Sequence, residues 1–196
     1  GKSNYHTFEL INKWPKWEKN FLNIIGEKHS GKTHLVNIFL KKFNGIKIES
    51  SLLNDENLKT IKPYQNIVLE NLDLGVNENL IYTLFNIIDQ DNKFLIITSS
   101  KPVTEINFQL TDLCSRTKNC LLTKIENPDD ELMFALILKN LSDRQITLDK
   151  KLINFIIKKV ERSYGKIHEF IYKIDKISLK KKESIDFKII NEALKE

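Results

Sequence analysis

Cysteine is scarce in this sequence: only Cys114 and Cys120 occur in 196 residues. They form no C-x-x-C pair, and none of the histidines, His6, His29, His34 and His168, is spaced to complete a zinc set with them. A structural zinc site is excluded, and both cysteines read as free thiols of a reducing compartment. Long apolar runs are missing as well. No stretch approaches the roughly 20 residues needed to span a bilayer, so no membrane partner is expected. The first residues lack the basic, apolar and small-residue order of a secretory signal, which makes the cytoplasm the expected location. There is no initiator methionine: the chain opens at Gly1 and enters helix-like sequence almost at once. The expectation is a chain truncated at its N-terminus, with Gly1 the remnant of a tag. No internal repeat or low-complexity linker occurs.

One further absence bears on nucleic acid. The net charge is +5, the pI is near 9.0, and Lys180-Lys181-Lys182 is the densest basic cluster. Acidic residues are interspersed with the lysines, however, and no aromatic residues alternate with them as a single-strand stacking platform requires. Lys, Ile and Asn are abundant along the whole chain, which is a compositional bias and not one basic face. Direct DNA binding by this segment is not expected.

What is present is a phosphate-loop pattern. Gly26-Glu27-Lys28-His29-Ser30-Gly31-Lys32-Thr33 fits G-x-x-x-x-G-K-[ST]. It follows the short apolar run Phe21-Leu22-Asn23-Ile24-Ile25, as a buried parallel strand should read, and precedes a stretch in which Leu35, Phe39 and Phe43 share one helical face. A glycine-containing turn that opens a helix presents several backbone N–H groups, together with the positive end of the helix dipole, to a phosphate chain. Gly26, His29, Ser30, Gly31, Lys32, Thr33 and His34 are therefore the expected nucleotide contacts. Lys32 would reach the β and γ phosphates and the Thr33 hydroxyl would ligate Mg²⁺. His34, on the first helical turn, reads as a packing or capping residue and not a catalyst.

Further strand-like runs follow at Ile46 to Glu49, Ile67 to Leu69, Phe94 to Thr98 and Leu121 to Ile125, with helix-like stretches at Asn77 to Gln90 and around Gln109 to Arg116. Strands alternating with helices predict an α/β fold with a five-stranded parallel sheet covered on both faces. From Asn127-Pro128 onward only helical patterns remain, at about Asp129 to Leu141, Asp149 to Arg162, Lys166 to Leu179 and Asp186 to Leu194. The expected organisation is a nucleotide-binding α/β base over residues 1–125 and an all-helical lid over 126–196.

A P-loop site also needs an apolar strand ending in a carboxylate that holds Mg²⁺ through water. Ile67-Val68-Leu69-Glu70 supplies it, with Glu70 the candidate metal and catalytic carboxylate. The next position, where an active hydrolase needs a general base, is Asn71, which cannot accept a proton from the attacking water. Asp73 is close in sequence, but two residues along an extended chain it can point elsewhere.

Gly31-Lys32-Thr33-His34-Leu35, Ile11-Asn12-Lys13-Trp14-Pro15-Lys16-Trp17, Ile97-Thr98-Ser99-Ser100-Lys101-Pro102, Asp112-Leu113-Cys114-Ser115-Arg116 and Asn127-Pro128-Asp129-Asp130-Glu131 together resemble the AAA+ module of the bacterial replication initiator DnaA and its shortened relative Hda. The similarity runs through essentially the whole chain. Asp143-Arg144-Gln145 and Glu161-Arg162-Ser163 look closest to the shorter, alphaproteobacterial Hda-type regulators. The resemblance implies a P-loop AAA+ base with a helical lid, and ADP or ATP with Mg²⁺ as cofactors.

It also implies that Ser115-Arg116 is the motif whose arginine reaches a neighbouring subunit's nucleotide, which makes Arg116 a catalytic finger in trans. Ser100 falls at the polar sensor position after the fourth strand. His168, within Gly165-Lys166-Ile167-His168-Glu169, stands at the lid sensor position, where the initiator has an arginine. Asn71, Ser100 and His168 all depart from the family pattern in the direction of weaker hydrolysis. The expected function is thus a regulator that promotes hydrolysis of ATP on the initiator DnaA. The DNA-loaded sliding clamp would be a second partner, gripped through a segment upstream of Gly1, and self-association of the AAA+ type a third. The alternative expectation is the ATPase module of an initiator DnaA itself.

Overall fold

The structure, a computed structural model, describes residues 5–73 and 75–195; the Gly1 opening lies outside them. The chain divides into two compact units. One holds the described residues within Asn4–Gly26 and Gly31–Ile125, the other those within Glu27–Ser30 and Glu126–Glu196.

The first unit is built on strands β1 (Phe21–Ile25), β2 (Gly45–Glu49), β3 (Asn66–Glu70), β4 (Phe94–Ser99) and β5 (Leu121–Lys124), in spatial order β2-β3-β4-β1-β5. Every pairing is parallel, as the alternation of strands and helices predicts. Parallel neighbours need crossovers, and these carry α2 (Lys32–Lys42), α3 (Asp55–Thr60), α4 (Glu78–Gln90) and α5 (Thr111–Thr117), while α1 (Tyr5–Asn12) precedes β1. Burial on both faces explains why β1 and β3 read as unbroken buried runs. On one face Ile67, Leu69, Leu95 and Ile97 meet Ile81, Leu84, Phe85 and Ile88 of α4, all effectively inaccessible to water. Phe21 stacks on Phe85 with centroids 4.7 Å apart. On the other side of the sequence pattern lie Leu22, Ile24, Val68 and Ile96, buried like Leu35, Val36 and Phe39 of α2. Each such side chain contributes about 1.5–3 kcal/mol by leaving water.

Because the strands are parallel, their C-terminal ends share one edge. Ile25 is in register with Ser99, Leu69 with Ile97 and Glu49 with Glu70. The loop after β1, the end of β3 and the turn after β4 therefore lie side by side, with β1 seated between β4 and β5. A reversal of strand order of this kind is where open α/β sheets take ligands.

The second unit contains α6 (Asp130–Ser142), α7 (Lys150–Lys159), α8 (Tyr164–Lys181) and α9 (Phe187–Lys195) around a core of Met133, Ile137, Ile153, Ile156, Ile171, Ile174 and Ile190. Asp129, Asp149 and Ser163 cap the first three helices by accepting from the backbone N–H of Leu132, Lys151 and Lys166. Two sequence boundaries shift here. The helix expected to run to Arg162 ends at Lys159, because Val160 is extended, and the next begins at Tyr164 instead of Lys166, because Ser163 is its cap. The short α3 was not anticipated, although Asn54 caps it and Asp55 and Glu56 fill its first turn. Among the described residues no helix is long and apolar enough to cross a membrane.

Candidate functional site

The P-loop leaves β1 at Gly26, whose N–H donates to the Ser99 carbonyl at 3.2 Å. His29 and Gly31 both have positive φ, 67° and 93°. At Gly31 this left-handed conformation suits a residue without Cβ, and a Cβ built there would meet nothing within 4 Å. At His29 it is an uncommon state for a side-chain-bearing residue. α2 starts at Lys32 with Gly31 as its N-cap, so no side chain caps its first turn, and no acidic residue lies there. Its first N–H groups and the dipole form an anion-binding end.

Lys32 is buried, and its ammonium donates to the Gly26 carbonyl at 2.7 Å. The Ser30 hydroxyl is buried with no hydrogen-bond partner among the described residues. A buried polar atom left in that state costs about 1–3 kcal/mol, and it fits a loop built for a hydrogen-bonding ligand. Thr33 is exposed on the first turn of α2, and so is His34, which lines a shallow depression with Asn37, Ile38 and Lys41.

Glu70 closes β3 and its side chain is 5% exposed. Its Oε2 pairs with the Lys47 ammonium of β2 at 3.0 Å, whereas its Oε1 is buried without a partner. That orphaned oxygen fits a cation or a cation-bound water. With the Thr33 hydroxyl, the residues present suit Mg²⁺, although Lys47 already neutralises the carboxylate.

The position expected to hold a general base is turned elsewhere. Asn71 has φ 56°, and its side-chain amide donates to both oxygens of Glu49, at 3.0 and 3.1 Å. Its N–H donates to the Thr98 hydroxyl, and its carbonyl accepts from Ser50. Since β2 lies on the side of β3 away from β4 and β1, the Asn71 amide is directed away from the loop after β1. Asp73 accepts the Ser100 hydroxyl at 2.6 Å. The sensor-position serine and the nearby carboxylate thus satisfy each other.

Arg116, on α5, forms an ion pair with Asp89 of α4, and its guanidinium lies 5.4 Å from the Tyr82 ring centre. With Tyr82, Asp112, Ser115 and Asn119 it lines a shallow surface depression. Reaching another molecule requires it to leave Asp89.

In the helical unit, His168 sits on the first turns of α8. Its Nδ1 is 2.9 Å from the Asn140 side-chain oxygen, and its ring stacks on that of His29 with centroids 4.3 Å apart. Ser163 donates to the Glu27 carboxylate at 2.7 Å. The loop residues 27 and 29 are therefore held by the start of α8.

Sequence reasoning missed Lys47, Glu49, Asn23 and Ser163. Lys47 had a signal, a charge interrupting the apolar pair Ile46 and Ile48. Asn23, fully buried in β1, donates to the Ile97 carbonyl and Ser99 hydroxyl and accepts from the Val103 N–H, which pins the turn after β4. Its signal was a lone amide inside an apolar strand. Cys114 and Cys120 are unpaired thiols, and burial pushes the Cys120 thiol up to about 12. Among the described residues no cluster of His, Cys, Asp or Glu is grouped to hold a metal on its own.

No protein-family model matches the chain. It is 27% identical over 219 aligned positions to the chromosomal replication initiator protein DnaA of Borreliella afzelii, an alignment covering all of this chain and 45% of that protein. The chain thus spans about half the length of the curated relatives it matches. Among solved structures it is similar to domain III of the Thermotoga maritima replication initiation protein DnaA, with a TM-score of 0.74, 20% identity, and coverage of 100% of this chain and 92% of that one. It is similar too to AMPPCP-bound DnaA from Aquifex aeolicus, with a TM-score of 0.65, 21% identity, and coverage of 89% and 62%. The sheet order and the helical unit give the chain the fold of DnaA domain III, and its sequence is similar to that of DnaA along its whole length.

Proposed function

We propose that the chain binds ADP or ATP through its P-loop and serves as a slowly hydrolysing AAA+ module in the control of replication initiation. The observation that carries this reading is a phosphate-loop pattern with an uncapped α2 start, a buried Lys32 ammonium and an orphaned Ser30 hydroxyl. Gly26, His29, Ser30, Gly31, Lys32 and Thr33 are the phosphate contacts in this reading, His34 follows on the helix, and His168 is the sensor residue of the helical unit. Thr33 and Glu70 would hold Mg²⁺, partly through water, and the metal would supply charge neutralisation on the phosphates. The α/β unit is the base and the helical unit, which takes in residues 27–30, is the lid. The AMPPCP bound by the DnaA of Aquifex aeolicus supports an adenine nucleotide.

Slow turnover follows from the residues themselves. Asn71 is held by Glu49 and is no base, Asp73 is engaged by Ser100, and the imidazole of His168 is a weaker phosphate partner than a guanidinium.

Within this reading the chain is an Hda-type regulator that supplies Arg116 in trans to ATP-bound DnaA, together with the DNA-loaded sliding clamp. The weak site of its own supports that assignment, since a protein that completes another's site has no need of a fast one. The second assignment, the ATPase module of an initiator DnaA, is supported by the relatives, which carry the name DnaA. ATP turnover by cognate DnaA, with clamp and DNA present, separates the two. A regulator raises it, and Arg116→Ala removes the gain, by up to about 10³-fold or more as for other arginine fingers, while leaving nucleotide binding intact. No stimulation by the wild-type chain favours the initiator module.

A further inference from the structure

We infer that Lys47 is the resident counter-cation of the metal carboxylate, so that this P-loop holds its nucleotide with little dependence on Mg²⁺. The inference rests on the nucleotide reading above. Lys47 pairs in register with Val68, two residues before Glu70 on β3, so Lys47 and Glu70 project from the same face of the sheet. The ammonium lies 3.0 Å from Glu70 Oε2 and donates to the Asn37 side-chain oxygen of α2 at 3.2 Å. Asn37 lies one helical turn beyond Thr33, the metal's other expected ligand. The cation is thereby anchored between the helix that follows the P-loop and the strand that ends in the carboxylate.

The neighbouring carboxylate does not compensate. Glu49, in register with Glu70, is occupied by the Asn71 amide at both oxygens. A divalent ion approaching Glu70 thus meets a carboxylate whose charge is already balanced, with only Oε1 left to accept from a metal-bound water. It also meets a like charge fixed beside it. Removing the ammonium restores a full negative charge at the strand end and removes that repulsion, and both changes favour Mg²⁺.

The test is calorimetric titration of ADP into wild type, Lys47→Met and Lys47→Arg, each with Mg²⁺ and with EDTA. Mg²⁺ is expected to change the wild-type affinity by less than about threefold and the Lys47→Met affinity by about tenfold or more, with Lys47→Arg behaving as wild type. A wild-type affinity that tightens about tenfold or more with Mg²⁺ overturns the inference, and this arm needs no variant to fold. A second arm needs no nucleotide. Mn²⁺ alone, followed by loss of its free-ion electron paramagnetic resonance signal, is expected to bind Lys47→Met about tenfold more tightly than wild type, and adding Glu70→Gln should abolish the gain. Equal Mn²⁺ binding by wild type and Lys47→Met also overturns it. If wild type binds no ADP under either condition, it is the nucleotide reading that falls, and the Mn²⁺ arm still decides whether Lys47 blocks Glu70.

Discussion

Replacing Asn71 by Asp is the substitution that sequence logic suggests for restoring a general base, and the structure predicts that it fails. The Asn71 amide donates to both Glu49 oxygens at 3.0 and 3.1 Å. Asp tolerates a positive φ about as well as Asn, so the backbone at φ 56° is not the obstacle. The carboxylate would instead face Glu49. Two unit charges about 4 Å apart repel by about 4 kcal/mol at an effective dielectric of 20, and solvent plus side-chain rotation reduce this to about 1–2 kcal/mol. Loss of the charge-assisted hydrogen bond brings the expected destabilisation to about 2–3 kcal/mol. In urea this lowers the unfolding midpoint by about 1 M.

Asn71→Asp with Glu49→Gln should regain most of that loss, because the amide and carboxylate are only exchanged, so the double-mutant cycle shows strong coupling. The new carboxyl would have its pKa raised in the folded state. Its penalty is therefore present above the ordinary carboxylate range near 4 and fades as pH falls through it. ATP turnover by Asn71→Asp alone should stay within about threefold of wild type. Unchanged stability without coupling to Glu49, or a tenfold or greater rise in turnover from Asn71→Asp alone, would refute the geometry.

Two further outcomes follow from buried groups. Asn23→Ala strands the Val103 N–H and takes one donor each from the Ile97 carbonyl and the Ser99 hydroxyl, which still donates to the Lys101 carbonyl, and should destabilise the base by about 2–4 kcal/mol in chemical denaturation, with the turn after β4 losing hydrogen-exchange protection first. Cys120, its thiol raised by burial to about 12, should resist alkylation at pH 8 in the native state and react fully in urea.

The architecture was legible in the sequence because its signals are local and repeated. Five apolar runs separated by helical stretches leave few alternatives to a parallel sheet, and Asp129 and Asp149 stand at helix starts as capping chemistry requires. Side-chain pairing was not legible. Lys47 and Glu70 are 23 positions apart and meet only through strand register, as do Asn71 and Glu49. Arg116 and Asp89 meet through the packing of α4 against α5, which no periodicity encodes. The positive φ at Asn71 turns that residue toward β2, and an Asn after a strand run gives no direction by itself.

The account's central claim is that the P-loop of this chain holds an adenine nucleotide through Lys32, and calorimetric titration of ADP into wild type and Lys32→Ala tests it most directly. Saturable binding by wild type, weakened about 100-fold or beyond detection in a folded Lys32→Ala, is the predicted result, since the phosphate charge loses its buried cation. Equal affinity of the two proteins, or no binding by wild type, would contradict it.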